Sequence, residues 1–205
     1  EAADLGQVYS AINSLQRTAW RVNPRIFELA DEMYRNGVNF AGCANDVRTK
    51  VDFSTKGRSE KERVSFNRWV GRVYAGNRLK KIQRLSWART VSTACLFKAS
   101  NLYYPHHLDF RGRVYPTSAC LTPQGDDLSI SLLQFAEGQK MKTDREWFWV
   151  QVHGANTFGK DKLPFPERLA WVEENYGLIK ASVEDPLQQP WWADAASPMT
   201  FLAWC

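Results

Sequence analysis

His107-Leu108-Asp109-Phe110-Arg111-Gly112-Arg113-Val114-Tyr115 is the most informative stretch of this 205-residue chain. Two arginines flank a glycine whose missing Cβ lets backbone and guanidinium approach a bulky partner closely. An arginine fork meets phosphate oxygens at two points, so Arg111 and Arg113 suit a nucleic-acid backbone or a nucleotide tail. Asp109 would serve best as the orienting partner of one guanidinium. Tyr115 lies two residues past Arg113, on the same side of an extended strand, where its ring can stack on a base or sugar. A short strand is expected over Arg113-Val114-Tyr115, with Pro116 at its end. An Arg–Asp pair that merely steadies a strand start is the plain alternative, and a bare D-x-x-G-R match is weak alone.

The charge distribution points the same way. The net charge is +5, yet between Lys56 and Lys98 there are 12 Lys/Arg and 2 Asp/Glu, while the remaining residues sum to −5. This segment has helical periodicity: Phe66, Trp69, Val70 and Val73 share one face, Arg68 and Arg72 lie off it, and Lys80, Lys81 and Arg84 crowd onto another side. With few acids at i,i+4 to pair with, these cations are open to external phosphates. A solvated basic face without a ligand is one alternative. A membrane-surface helix is another, but an aromatic stripe beside a globular region is expected to dock onto protein rather than lipid.

Composition places the chain among globular proteins, with 44% hydrophobic, 13% aromatic and 24% charged residues. No uncharged run approaches the roughly 20 apolar residues needed to span a bilayer, so no membrane anchor is expected. Glu1-Ala2-Ala3-Asp4 is neither an initiator Met nor a signal peptide, and the apolar ending Phe201-Leu202-Ala203-Trp204-Cys205 suggests a chain that has been cut. Cys43, Cys95, Cys120 and Cys205 are scattered, which favours buried or free thiols in a reducing compartment over a zinc site or disulfide framework.

Along the chain, Val8, Ile12, Leu15, Ala19 and Val22 predict a helix broken at Asn23-Pro24. A second helix follows, with Pro24 in its first turn and Ile26, Leu29, Ala30 and Met33 on one face. From Asn36 to Gly57 periodicity is lost, and helix resumes from Ser59 to Ser100. Pro123 to Asp127 reads as a turn, with Asp127 capping a helix through Leu128, Leu132, Leu133 and Phe135 to Gly138. Thr143 and Glu146 form a capping box for a helix running toward His153. Pro166 opens another through Leu169, Val172, Tyr176, Ile179 and Val183, ended by Asp185-Pro186.

In this company the Asp109–Arg113 motif resembles the start of the palm in the single-subunit RNA polymerases of phages and mitochondria, Phe110 and Val114-Tyr115 included. Further matches follow in order: Pro123-Gln124-Gly125, His153-Gly154-Ala155-Asn156, Asp161 to Arg168, Glu173-Glu174-Asn175, Trp191-Trp192-Ala193, Ser197-Pro198 and Phe201-Leu202-Ala203. Upstream, Val8 to Asn13 and Thr18-Ala19-Trp20 look like the approach to the thumb. The likeness covers most of the chain and is weakest between Asn36 and Gly57.

The resemblance implies a mostly α fold with a small β element, an incomplete right-hand polymerase fold. Residues 1–21 would connect from an N-terminal domain, 22–100 would form a helical thumb, and 101–205 the start of the palm. Arg113 would contact the nucleic-acid backbone, with Arg111 and Tyr115 as neighbours, and Arg68, Arg72, Lys80, Lys81 and Arg84 would grip the RNA–DNA hybrid. Lys162 would lie near the incoming nucleotide's phosphates, an exposed loop lysine being the plain alternative. The expected partners are DNA template, hybrid, nucleoside triphosphates and the missing fingers and palm half. Mg2+ would serve the complete enzyme on aspartates downstream of Cys205, so no catalytic or metal residue is expected here. Asp126-Asp127 is disfavoured as a metal pair because adjacent side chains diverge where a helix cap is needed, and His106-His107 lacks a third ligand. Host cytoplasm is expected for a phage protein, a mitochondrion or plastid otherwise. A noncatalytic nucleic-acid-binding remnant, or one subunit of a split polymerase, is the alternative.

Overall fold

The computed structural model describes residues 5–54 and 59–205; Lys56 and Arg58, which open the basic segment, lie outside them. The chain is mostly helical, with two small two-stranded sheets. Helix α1 spans Gly6–Arg17. It stops earlier than the periodicity suggests, because Thr18 turns extended and Trp20–Val22 forms strand β1. Helix α2, Pro24–Arg35, then starts as expected. The Asn23 side chain accepts from the amides of Arg25 and Ile26, and Pro24 occupies a position where no N–H is needed. Ile26, Leu29, Ala30 and Met33 are its buried face.

Helix α3, Glu60–Phe97, is one 38-residue rod opened by a capping box between Ser59 and Glu62. At 1.5 Å per residue it is about 57 Å long. Only its C-terminal third enters the core, through Trp87, Thr90, Val91 and Ala94. The Trp87 indole N–H donates to the Ala30 carbonyl at 3.0 Å, pinning this end to α2. The aromatic stripe expected further up is partly covered: Phe66, Val70 and Val73 are half-buried while Trp69 is 42% exposed, and Leu79, Ile82 and Leu85 face solvent. What lies along the rod is the segment after α2, which has no regular structure over 36–54 but runs antiparallel to α3 as a strap. Arg84 Nη1 donates to the carbonyls of Tyr34 and Ala44, at 3.4 and 3.3 Å. The Asn77 amide pairs with Thr49 through two 3.0 Å bonds, and Phe53 stacks near Tyr74. The half-buried positions Phe66, Val70, Val73, Asn77, Lys80 and Arg84 recur at fours and threes, one stripe on the strap side.

Past α3 the hairpin of β2, His106–Leu108, and β3, Val114–Pro116, follows the short-strand expectation. Helix α4 is only Asp127–Ser131, and Leu133–Phe135 is strand β4 rather than more helix. The cap is Asp126, whose carboxylate accepts from the Ser129 amide at 2.9 Å. β4 pairs antiparallel with β1, joining Trp20 to Phe135 with their rings 4.4 Å apart. This pairing overrides helical periodicity at both sites.

Helix α5, Asp144–Phe158, starts at the expected Thr143–Glu146 box and runs past His153 to Gly159, whose φ of 106° ends it. The single helix expected from Pro166 is two, α6 Phe165–Glu174 and α7 Tyr176–Glu184. They break at Asn175, whose side chain donates to the Trp171 carbonyl. A 3-10 turn over Pro190–Asp194 leads to α8, Pro198–Trp204. Phe158, Trp171, Trp191 and Phe201 pack ring to ring between these elements. Gly154 is fixed by this packing: a Cβ there would sit 2.2 Å from the Trp204 indole, which donates to the Val150 carbonyl. All four cysteines are free, and burial pushes the Cys43 and Cys205 thiols up, the latter to about 12.

Candidate nucleic-acid interface

The turn between β2 and β3 is organised by one carboxylate. Asp109 Oδ1 accepts from the amides of Arg111 and Arg113, both at 2.9 Å. Asp109 Oδ2 takes Arg113 Nε and Nη2, both at 2.7 Å. The Asp109 side chain is 18% exposed and that of Arg113 54%. The Arg113 amide first, with its guanidinium and the Arg111 amide, holds the Asp109 carboxyl below the usual carboxylate range. Gly112 is required by its φ of +76°, with open space where a Cβ would point, so its backbone angle and not a close neighbour within the chain selects it.

Arg113 thus has a fixed fork rather than a swinging chain. Its Cζ stands 5.6 Å from the centre of the Tyr115 ring, on the shared side that strand alternation requires. His107 pairs across the strands with Tyr115, ring centres 6.0 Å apart. At the tip Phe110 is 97% exposed, and Arg111 is exposed beside it. Phe110 as a surface aromatic is not deducible from the motif, because the turn that expels it depends on Asp109's hydrogen bonds.

On α3 the sequence-identified cations separate. At 100° per residue Arg68 and Arg72 lie about 80–180° around the axis from Lys80, Lys81 and Arg84. The latter group borders the strap: Arg84 is bonded there and stands 4.2 Å from the Tyr34 ring, Lys80 is half-buried, and Lys81 is exposed. Arg68 and Arg72 are exposed on the strap-free side.

Lys162 is 91% exposed and paired with Asp161 at 2.7 Å, which holds the Asp161 carboxyl low. Its loop is braced by Arg168, a residue whose role spacing alone does not reveal. Arg168 donates to the carbonyls of Leu163 and Asp161 at 2.7 and 2.6 Å and to Asn156 Oδ1 at 2.8 Å. Two stretches picked out in the sequence, His153 to Asn156 and Asp161 to Arg168, are therefore one bonded unit.

The adjacent carboxylates Asp126 and Asp127 do not fit a metal ion. Asp126 caps α4, and Asp127 accepts from the Met199 and Thr200 amides at 2.7 and 2.9 Å, capping α8. Among the described residues no group of three or more His, Cys, Asp or Glu is placed to hold a metal. Nor is any helix there long and apolar enough to cross a membrane.

The chain is mostly helical, with an exposed Arg–aromatic hairpin and a cationic rod, and comparison with known proteins gives its class. Residues 140–205 match the family described as DNA-dependent RNA polymerase. The DNA-directed RNA polymerase of Enterobacteria phage K11 is 35% identical over 97% of this chain and 22% of its own length. T7 RNA polymerase is 32% identical over 97% of the chain and 23% of its own. The chloroplastic/mitochondrial DNA-directed RNA polymerase 2 of Arabidopsis thaliana is 34% identical over 98% and 20%. The chain belongs to the single-subunit, phage- and organelle-type DNA-directed RNA polymerases, and it spans about a fifth of the length of these curated relatives.

Proposed function

We propose that this chain is the hybrid-gripping part of a DNA-directed RNA polymerase that makes RNA by nucleotidyl transfer. Residues 22–100 act as its thumb, 101–205 as the start of its palm, and 1–21 as the connection from an N-terminal domain. The observation that carries the reading is the Arg113 fork, held in register by Asp109 beside Tyr115 on an exposed hairpin. A pre-oriented guanidinium loses less freedom on meeting a phosphate, and the ring beside it offers a stacking face for a base or sugar. Arg111 adds a second cation. Arg68 and Arg72 on the strap-free side of α3, with Lys81 at the strap's margin, supply the sequence-independent attraction to the duplex. Lys80 and Arg84 contribute positive potential from the strap side, Arg84 while also anchoring the helix.

DNA template, RNA–DNA hybrid and nucleoside triphosphates are the proposed partners, and Lys162, at the edge of its braced loop, faces the triphosphate. In the complete enzyme Mg2+ would supply activation of the attacking hydroxyl. The aspartates that would hold it are expected downstream of Cys205, so the chain alone is proposed to bind without polymerising.

The test is hybrid affinity by fluorescence anisotropy. Arg113→Ala is expected to weaken binding about tenfold, the size of one charge-assisted contact, with an unchanged circular dichroism spectrum. Arg113→Lys, which keeps the charge and loses the fork, is expected to recover only part of it. Parent-like affinity in Arg113→Ala overturns the reading.

A further inference from the structure

The hairpin carries one further ionisable group, His107. His107 and Tyr115 are cross-strand partners in β2 and β3, and the turn residues Asp109 and Arg113 just beyond the two strands are joined by the Asp109 amide on the Arg113 carbonyl and by their side chains. Tyr115 has the His107 ring across the strands at 6.0 Å and the guanidinium of Arg113, two residues before it, at 5.6 Å. His107 is exposed, and its charge is felt at Asp109, where it helps to lower the carboxyl's pKa.

We propose that His107 is a third cationic contact of this nucleic-acid site, one that makes its grip on the phosphate backbone strengthen as pH falls. The inference rests on the proposed role of Arg113 and adds a residue and a pH dependence to it. Asp109 is fully engaged by two amides and by Arg113 Nε and Nη2, so it has no acceptor left for an imidazolium. Arg111 and the half-exposed Arg113 guanidinium are the cations that the hairpin offers a phosphate. A proton on His107 adds a third, beside the Tyr115 ring that Arg113 also flanks. Histidine is the side chain whose charge changes between about pH 5 and 8.

The surroundings leave few other sources of such an effect. β3 offers His107 Tyr115 as its titratable neighbour, and the turn offers Asp109, Arg111 and Arg113. Helix α1, which packs on β2 through Gln16, carries only Tyr9 and Arg17. Asp109, with its lowered pKa, remains a carboxylate throughout that range. The chain has 3 histidines. His106 is on the opposite face of β2 with its Nδ1 buried, and His153 is on α5.

The experiment measures affinity of a fluorescein-labelled RNA–DNA hybrid at about pH 5.5 and about pH 8 at fixed salt. The parent is expected to bind several-fold tighter at the lower pH, with a steeper salt dependence by roughly one unit. His107→Gln is expected to bind at both pH values with the parent's high-pH affinity, while His106→Gln keeps the pH response. His107→Lys, cationic throughout, is expected to bind at pH 8 as the parent does at pH 5.5. A parent with no pH response, or a response that survives in His107→Gln, overturns the inference while leaving the Arg113 reading standing. Failure of that reading shows separately, as Arg113→Ala binding like the parent at both pH values.

Discussion

Asp127 holds the first turn of α8 from 72 positions away, its two oxygens on the amides of Met199 and Thr200. The bond is charge-assisted and half-buried, and it ties the turn behind the Asp109 hairpin to the last helix of the chain. Asp127→Ala would leave two amides without partners. It is expected to lower stability by about 1–2 kcal/mol, the cost of losing an N-terminal cap. Hydrogen exchange at Met199 and Thr200 is expected to speed up while that at Leu29 and Met33 does not. Unchanged exchange at α8 would show that the cap is dispensable. In the proposed function Arg113 follows the same logic, since Asp109 would aim its fork before any ligand arrives. Both aspartates stand out in the sequence, but only the fold separates a carboxylate that orients an arginine from one that closes a helix.

At the scale of elements, the strap decides which side of α3 is open. Its firmest tie is the Asn77 amide on Thr49, two hydrogen bonds at 3.0 Å in a largely exposed setting. Asn77→Ala is expected to cost about 1 kcal/mol. It should release the Thr49 amide to fast exchange and leave the helical circular dichroism intact, and protection of Thr49 in the variant would contradict the clasp. The strap has no sequence signature, because its firmest tie joins residues 28 apart without periodicity of its own. Helix α2 is legible for the opposite reason: Asn23-Pro24 and four apolar residues at threes and fours are local signals, and all four are buried. The helices expected through Ala19 to Val22 and through Leu132 to Phe135 fail together. Each segment is a strand only because the other is, across a pairing that a local window cannot see. Asn175 breaks α6 from α7 by a side-chain bond that competes with the backbone ladder, which spacing also does not register.

At the scale of the whole molecule, two cationic features stand on one framework. One is the hairpin with Arg111 and Arg113; the other is the strap-free side of α3 with Arg68 and Arg72. The Asp109–Tyr115 motif and the charge asymmetry make both visible in the sequence, whereas the split of the rod's cations between two sides requires the helix and its strap. In the proposed function both features grip the same RNA–DNA hybrid. Every phosphate that a variant leaves unneutralised flattens the dependence of log affinity on log salt by roughly 0.7–0.9. The most direct measurement is therefore that salt dependence for the parent, for Arg68→Gln with Arg72→Gln, for Arg113→Ala, and for all three changes together. The slopes are expected to be shallower by about two, about one and about three units. Slopes equal to the parent's in the α3 pair or in Arg113→Ala would contradict a shared grip on the hybrid.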